Sequence, residues 1–244
     1  MINSTKELDR CINEYQKLCK IFGNILDAPF KGGNISVKSE HYLVIKSSGE
    51  DLKKEHKVSI FKDKINSFTY YQEQYYTDIT KPSMEIKMHT VFKNKYVAHY
   101  HPVYILPYLC AKNYRFNDHD FIDFVLPGDD LWKTLNENYI YKEKGVVMLK
   151  NHGVIIYAEE IQDVFNLYIN LKEYFCEQNN SIYTPDDAID TTNAELWLFR
   201  NTIENIARNK NLDLVTLKQN EICKLLNLPD EKYRRKIMES ENKK

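Results

Sequence analysis

Glycine is rationed in this chain, with only seven in 244 residues. A backbone that must turn through positive φ, or approach a ligand closely, therefore has few places to do so. Four of the seven (Gly32, Gly33, Gly49 and Gly153) stand in short stretches that also hold Asn34, Ser36, Ser47, Ser48, Asn151 and His152. Any one of these glycines reads as an ordinary turn. Their shared company of serine, asparagine and histidine points to loops arranged around a ligand.

The apolar pattern between the loops is that of an α/β protein. Leu8, Cys11, Ile12, Tyr15, Leu18, Cys19 and Phe22 repeat at helical spacing, with Ser4 or Thr5 placed to cap that helix. Strands are expected at 34–38, 42–46, 56–61 and 96–102, and on both sides of Asn151-His152-Gly153. Ser83 is a suitable N-cap for a helix running to about Asn94. The segment from Leu106 to Trp132 is mixed, with a turn at Pro127-Gly128-Asp129. Ile161, Val164, Phe165, Tyr168, Leu171 and Phe175 mark an amphipathic helix over 160–178. Two more helices are expected over 194–209 and 214–225, and a frayed charged end over 234–244. The expectation is a main domain over 1–190 with a helical extension, 191–244, packed on it.

Within this frame His99 and His101 fall two apart in a β-like run, so both rings point to one face of the sheet. His152, between Asn and Gly about fifty residues later, can close a set of three imidazoles. Three nitrogen ligands leave an open position for substrate, which marks a catalytic rather than a structural metal site. Glu85 follows Pro82-Ser83-Met84 in the first turn of its helix, where the dipole favours a carboxylate in any case. It either stabilises the helix start, or completes the metal shell, or serves as a general base beside it. His89, one turn on, fits a packing role better than that of a fourth ligand. Backbone N–H groups at Gly33-Asn34 and Ser48-Gly49, with Ser83, are suited to an anion. A pair of β-turns explains the same residues, and Lys31, Lys46 and Lys81 flank them.

Composition removes several other classes. The formal net charge is −1, so no overall field attracts nucleic acid or an anionic membrane. No apolar run is long enough to span a bilayer, and Met1 to Glu7 lacks the apolar core of a secretory leader. Five scattered cysteines (Cys11, Cys19, Cys110, Cys176 and Cys223) without a Cys-x-x-Cys pair read as reduced thiols of a cytoplasmic protein.

Taken in order, Gly33-Asn34-Ile35-Ser36-Val37-Lys38, Ser48-Gly49, Pro82-Ser83-Met84-Glu85, His99-Tyr100-His101-Pro102 and Asn151-His152-Gly153 resemble the class II aldolase/adducin family. Its fuculose-phosphate-aldolase-like members are the ones meant. The resemblance implies a three-layer α/β/α fold around a mainly antiparallel sheet, assembled as a homotetramer with sites between subunits. It implies His99, His101 and His152 as metal ligands, with Zn2+ first and Mn2+, Fe2+ or Co2+ as alternatives. Glu85 would be the acid/base residue. Gly33, Asn34, Ser48, Gly49 and Ser83 would form a phosphate pocket, and Tyr114 (or Tyr233) would stand for a tyrosine proton donor. The implied activity is a metal-dependent lyase that makes or breaks a carbon–carbon bond in a small ketose or ketose phosphate through an enediolate. Met84 stands where the sugar-phosphate members commonly carry a second serine, which bears on phosphate recognition. Related dehydratases, decarboxylases and epimerases, and the non-catalytic adducin head, are the competing readings. The epimerases place Asp at the position of Glu85.

Overall fold

The computed structural model describes residues 2–54, 57–62, 81–112, 114, 116, 119–176, 203–215, 217–229, 232, 233 and 236. In chain order these form α1 (Ile2–Phe22), β1 (Asn34–Lys38), β2 (Tyr42–Lys46), β3 (Val58–Lys62), α2 (Ile86–Val91) and β4 (Tyr96–Tyr100). They continue with α3 (Leu106–Leu109), β5 (Asp120–Ile122), α4 (Asp129–Asn138), β6 (Lys144–Leu149), β7 (Gly153–Ala158) and α5 (Ile161–Cys176). A helix over 203–209, α6, and α7 (Gln219–Asn227) follow.

The seven strands make one sheet in the order β3-β2-β1-β4-β7-β6-β5. Every pairing is antiparallel except that of β5 with β6. Alternation along each strand sorts the side chains between two cores. On one face Ile35, Val37, Ala98, Tyr100, Val154 and Ile156 pack with the apolar stripes of α1 and α5. On the other, Val97, Val147, Ile155 and Tyr157 meet Met88 and Phe92 at α2 and Leu131 and Leu135 of α4. The sheet is thus the middle of three layers, as the family resemblance implies.

Several boundaries differ from the sequence reading. α1 begins at Ile2, ahead of the Ser4 or Thr5 cap. α2 is confined to Ile86–Val91 with Glu85 at its N-cap position; Ser83 stands two residues earlier, its N–H on the Lys46 carbonyl at 3.1 Å and its Oγ accepting from the Glu85 N–H at 3.4 Å. β4 ends at Tyr100, where the His101 N–H turns away to the Asp27 carbonyl. β5 lies in the segment read only as mixed. It is three residues long and partly exposed, too short for an alternation to register. Phe165, expected on the buried stripe of α5, is 40% exposed. His56 and residues 194–202 lie outside the described residues.

Two features of the fold bear on the site. Asn34 of β1 pairs with His99 of β4, and His99 in turn pairs with Ile155 of β7, so three strands converge where the motifs sit. The segment 213–215 lies along 110–112: the Lys112 N–H reaches the Asp213 carbonyl at 2.6 Å and the Val215 N–H the Cys110 carbonyl at 2.7 Å. From there the Val215 carbonyl accepts the Asn151 side-chain amide at 2.8 Å. The C-terminal segment therefore braces the turn that carries His152.

Candidate metal centre

His99 is fully buried on β4, on the sheet face turned toward α2. Its Nδ1 lies 3.1 Å from the Val154 carbonyl. A carbonyl only accepts, so Nδ1 carries the proton and the neutral ring presents the Nε2 lone pair to the site. Burial pushes His99 down to about 4, against the pull of Glu85, and so keeps the imidazole in that ligating form. His101 Nε2 stands 3.1 Å from His99 Nε2. It either donates a proton to that lone pair, or both lone pairs face a cation.

His101 is anchored from behind. Its N–H donates to the Asp27 carbonyl at 2.9 Å. The buried Asp27 carboxylate is itself fixed by the hydroxyls of Tyr104 and Tyr168, both at 2.7 Å, and by the Asn24 amide at 2.6 Å. Sequence reasoning missed this aspartate, because Tyr104 and Tyr168 lie far from it along the chain.

His152 comes from a tight turn in which Asn151 adopts φ 51°, a left-handed conformation that Asn tolerates better than most residues. The ligand nitrogens of His99, His101 and His152 all lie within 4.8 Å of one another. Gly153 makes this closeness possible, since a Cβ there would sit 2.7 Å from His101 Cδ2 and 2.5 Å from the Tyr100 carbonyl oxygen. The scarcity argument holds at this glycine, and the reason is close approach. At Gly33 it is φ +68° together with contact on the His99 carbonyl.

Glu85 meets the triad from α2. Oε2 is 3.4 Å from His99 Nε2 and Oε1 is 3.3 Å from His152 Nε2. Burial alone would raise this carboxyl, but the surrounding His99, His152 and His101 outweigh it and hold the group well below the usual carboxylate range. Oε1 is buried and, among the described residues, makes no hydrogen bond of normal geometry, its polar neighbour being His152 Nε2. A buried carboxylate beside three imidazoles, of which one is fixed as a bare-nitrogen tautomer, is a donor set a divalent cation satisfies. The residues present fit the metal.

The other expected site residues divide. The loops holding Ser48-Gly49 and Ser83 are brought together by a bridge between Ser47 and Pro82. Two of the N–H groups counted toward an anion nest are used inside the protein, however. That of Ser48 goes to the Lys81 carbonyl at 2.7 Å and that of Ser83 to Lys46. Lys46 donates to the Lys31 carbonyl at 2.6 Å. The Asn34 amide, 3% exposed, faces inward and donates to Glu85 Oε2 at 2.7 Å. Tyr114 sits in an aromatic cluster with Tyr108 and Phe116. Among the described residues no contact joins it to Glu85 or the histidines. The Tyr233 ring is under the Lys81 ammonium, 5.4 Å from its centroid, and so lies beside the Ser48 and Ser83 loops. His89 is buried as expected, but in a polar contact with Ser36 and Asn34.

With the triad, Glu85 and the three-layer sheet in place, the comparison with known proteins has a structural counterpart. The family model described as Class II Aldolase and Adducin N-terminal domain matches residues 14–179. The chain belongs to the class II aldolase and adducin family. Solved structures of class II aldolase type share its fold at low identity. The N-terminal class II aldolase domain of a conserved protein from Thermoplasma acidophilum is 18% identical, with a TM-score of 0.52 over 64% of this chain and 88% of that one. YgbL from Escherichia coli is 16% identical, with a TM-score of 0.53 over 89% and 96%. A sugar-phosphate aldolase from Thermotoga maritima is 16% identical, with a TM-score of 0.54 over 68% and 92%. No match was found among curated protein sequences. No helix among the described residues is long and apolar enough to cross a membrane.

Proposed function

We propose that this protein is a metal-dependent lyase of the aldolase type, cleaving or forming a carbon–carbon bond in a small ketose or ketose phosphate. The observation that carries the reading is the meeting of three imidazole nitrogens within 4.8 Å of one another, with the buried Glu85 carboxylate 3.4 Å from His99 and 3.3 Å from His152. His99, His101 and His152 would hold the ion, Zn2+ in the first instance, which supplies Lewis-acid stabilisation of the oxyanion that develops on bond cleavage. The chain's own groups do the rest. Glu85 stands beside the triad with one oxygen tied to Asn34 and the other open. It takes or returns the proton at the carbanion carbon, as a general base must from hydrogen-bond range. The hydroxyls of Ser48 and Ser83 face the substrate's far end in this reading. A tyrosine, Tyr114 or Tyr233, would serve the aldehyde.

Phosphate recognition is supported less than metal binding, because the Ser48 and Ser83 N–H groups are engaged and Met84 supplies no hydroxyl. Substrates should therefore be offered both as ketose 1-phosphates and unphosphorylated. As part of the same reading we propose a homotetramer with sites between subunits, which sedimentation analysis checks. The deciding test is metal content by mass spectrometry on protein purified without added metal, wild type beside His152→Ala. About one divalent ion per chain, lost in the variant, supports the reading. No bound metal and no uptake of Zn2+, Mn2+, Fe2+ or Co2+ would favour a non-catalytic, adducin-like module.

A further inference from the structure

We propose that Ser36 and His89 are positioning residues for Glu85 and that they act through Asn34. The four side chains form one buried chain of contacts. Ser36 Oγ is 2.7 Å from His89 Nδ1, His89 Nε2 meets Asn34 Oδ1, and Asn34 Nδ2 is 2.7 Å from Glu85 Oε2. Ser36 and His89 have no exposed surface, while Asn34 and Glu85 keep 3% and 6%. At this depth of burial each group's partner is the next side chain, so the direction of each bond is dictated by its neighbour.

That direction can be worked out from one end. The Glu85 carboxylate only accepts, so Asn34 must turn its N–H to it and its carbonyl oxygen to His89. His89 Nε2 must then carry the proton. Its Nδ1 is left with the lone pair, and the Ser36 hydroxyl donates to it. Every bond donates toward Glu85. With the proton on Nδ1 instead, His89 would present a lone pair to the Asn34 oxygen. The amide would rotate and set its carbonyl against the carboxylate. The tautomer of a histidine with no contact to the metal triad therefore decides which face of Asn34 the candidate base sees.

The fold builds this chain from two elements. Asn34 and Ser36 are alternate residues on one face of β1, and Glu85 and His89 are one turn apart at the start of α2 and within it. Lys38 adds a third rung, its ammonium donating to the carbonyls of Phe92 and Asn94 just beyond α2. Burial, with the nearby Lys38, also holds His89 well below the ordinary imidazole range, in keeping with a neutral ring. The consequence for chemistry is selective. Asn34 ties down Oε2, and the donor-free oxygen is Oε1, the one facing His152.

The inference rests on Glu85 acting as the acid/base group, but its test needs no substrate. Protein labelled with nitrogen-15 in histidine and asparagine would be studied by NMR near neutral pH, metal-free and with Zn2+ added, the His89 signals being assigned by their loss in His89→Gln. His89 is expected as a neutral ring protonated on Nε2 in both states. One Asn34 side-chain proton is expected far downfield through its bond to the carboxylate. That downfield proton should persist in His89→Gln, whose amide can still donate to Asn34, vanish in His89→Leu, and move upfield in Glu85→Gln, whose neutral amide oxygen is a weaker acceptor. A His89 protonated on Nδ1 or on both nitrogens, or a downfield proton retained in His89→Leu, overturns the proposal. A protein that gives the expected spectra but turns over no ketose refutes the aldolase reading alone. If His89→Leu does not fold, Asn34→Ala replaces it: without the amide oxygen on Nε2, and with a Ser36 hydroxyl that can donate or accept, His89 is expected to lose its single tautomer, and an unchanged tautomer overturns the proposal.

Discussion

Gly153 approaches His101 so closely that a methyl group on its Cα would lie 2.7 Å from the imidazole Cδ2, and 3.2 Å from His99 Cε1. The glycine is thus part of the metal site, though it offers no ligand. Gly153→Ala is expected to tilt both rings and weaken Zn2+ binding by at least about tenfold, the scale on which misoriented ligands lose affinity. The crowding should also cost about 1–3 kcal/mol of stability. Calorimetric Zn2+ titration and denaturant unfolding of the same variant read the two effects. Unchanged affinity would mean that the rings adapt freely.

Lys38 is a fully buried cation, and burial pulls it from 10.5 down to about 7, partly countered by Glu159. Its ammonium nevertheless caps the carbonyls that end the α2 segment. The sign of the pH effect follows. Between about pH 7 and 10 the unfolded chain keeps a proton that the folded chain has released, so stability rises with pH by at most on the order of 1.4 kcal/mol per unit. Buried Cys19, raised to about 12, acts in the opposite sense, but only above about pH 9, where the unfolded thiol ionises. Unfolding midpoints between about pH 7 and 8.5 should therefore climb in the wild type and stay flat in Lys38→Met. Parallel curves would show that the Lys38 ammonium stays charged when folded.

Much of this arrangement was legible in the sequence, and the residues show why. β1, β2, β4 and β7 are short runs with clear signals, and His99, His101 and His152 converge as their spacing and the intervening turn suggest. Ser36 and Lys38 left a readable trace: polar residues at every second position of an otherwise apolar, fully buried strand. Their partners, His89 and Phe92, could not be read, because each lies more than fifty residues away. The short α2 was misjudged for a similar reason. Ser83 does accept the Glu85 N–H through its Oγ, but its own N–H lies on the Lys46 carbonyl, so the backbone there is still strand-like and the helix starts at Ile86. The bracing of His152 by Val215 depends on a single backbone carbonyl, which leaves no residue signature at all.

That bracing gives the C-terminal segment a measurable part in the site. Asn151 both adopts φ 51° and donates to the Val215 carbonyl. Asn151→Gly keeps the backbone conformation and should lose only the hydrogen bond, about 1 kcal/mol. Asn151→Ala adds left-handed strain of about 1–2 kcal/mol. Urea unfolding should rank wild type, Gly and Ala in that order, with Zn2+ affinity falling in the same sequence. Equal stability in all three would mean that the turn holds without its C-terminal support.

Glu85 separates holding the metal from using it. Its Oε2 accepts from Asn34, and its Oε1 faces His152 without a donor. Glu85→Gln preserves shape and can still accept the Asn34 bond through its amide oxygen, yet it cannot take a proton. The three imidazoles remain, so Zn2+ content should stay near one per chain while turnover of a responsive ketose drops about 10²–10⁴-fold, the usual worth of a positioned base. Glu85→Asp retains the carboxylate but draws it back by one methylene, which stretches the Asn34 contact. Its loss should be smaller than that of Gln and should appear in kcat more than in KM, since the group acts in the transition state. Zinc-replete Glu85→Gln protein with wild-type turnover would remove Glu85 from the chemistry and leave it a stabiliser of the start of α2.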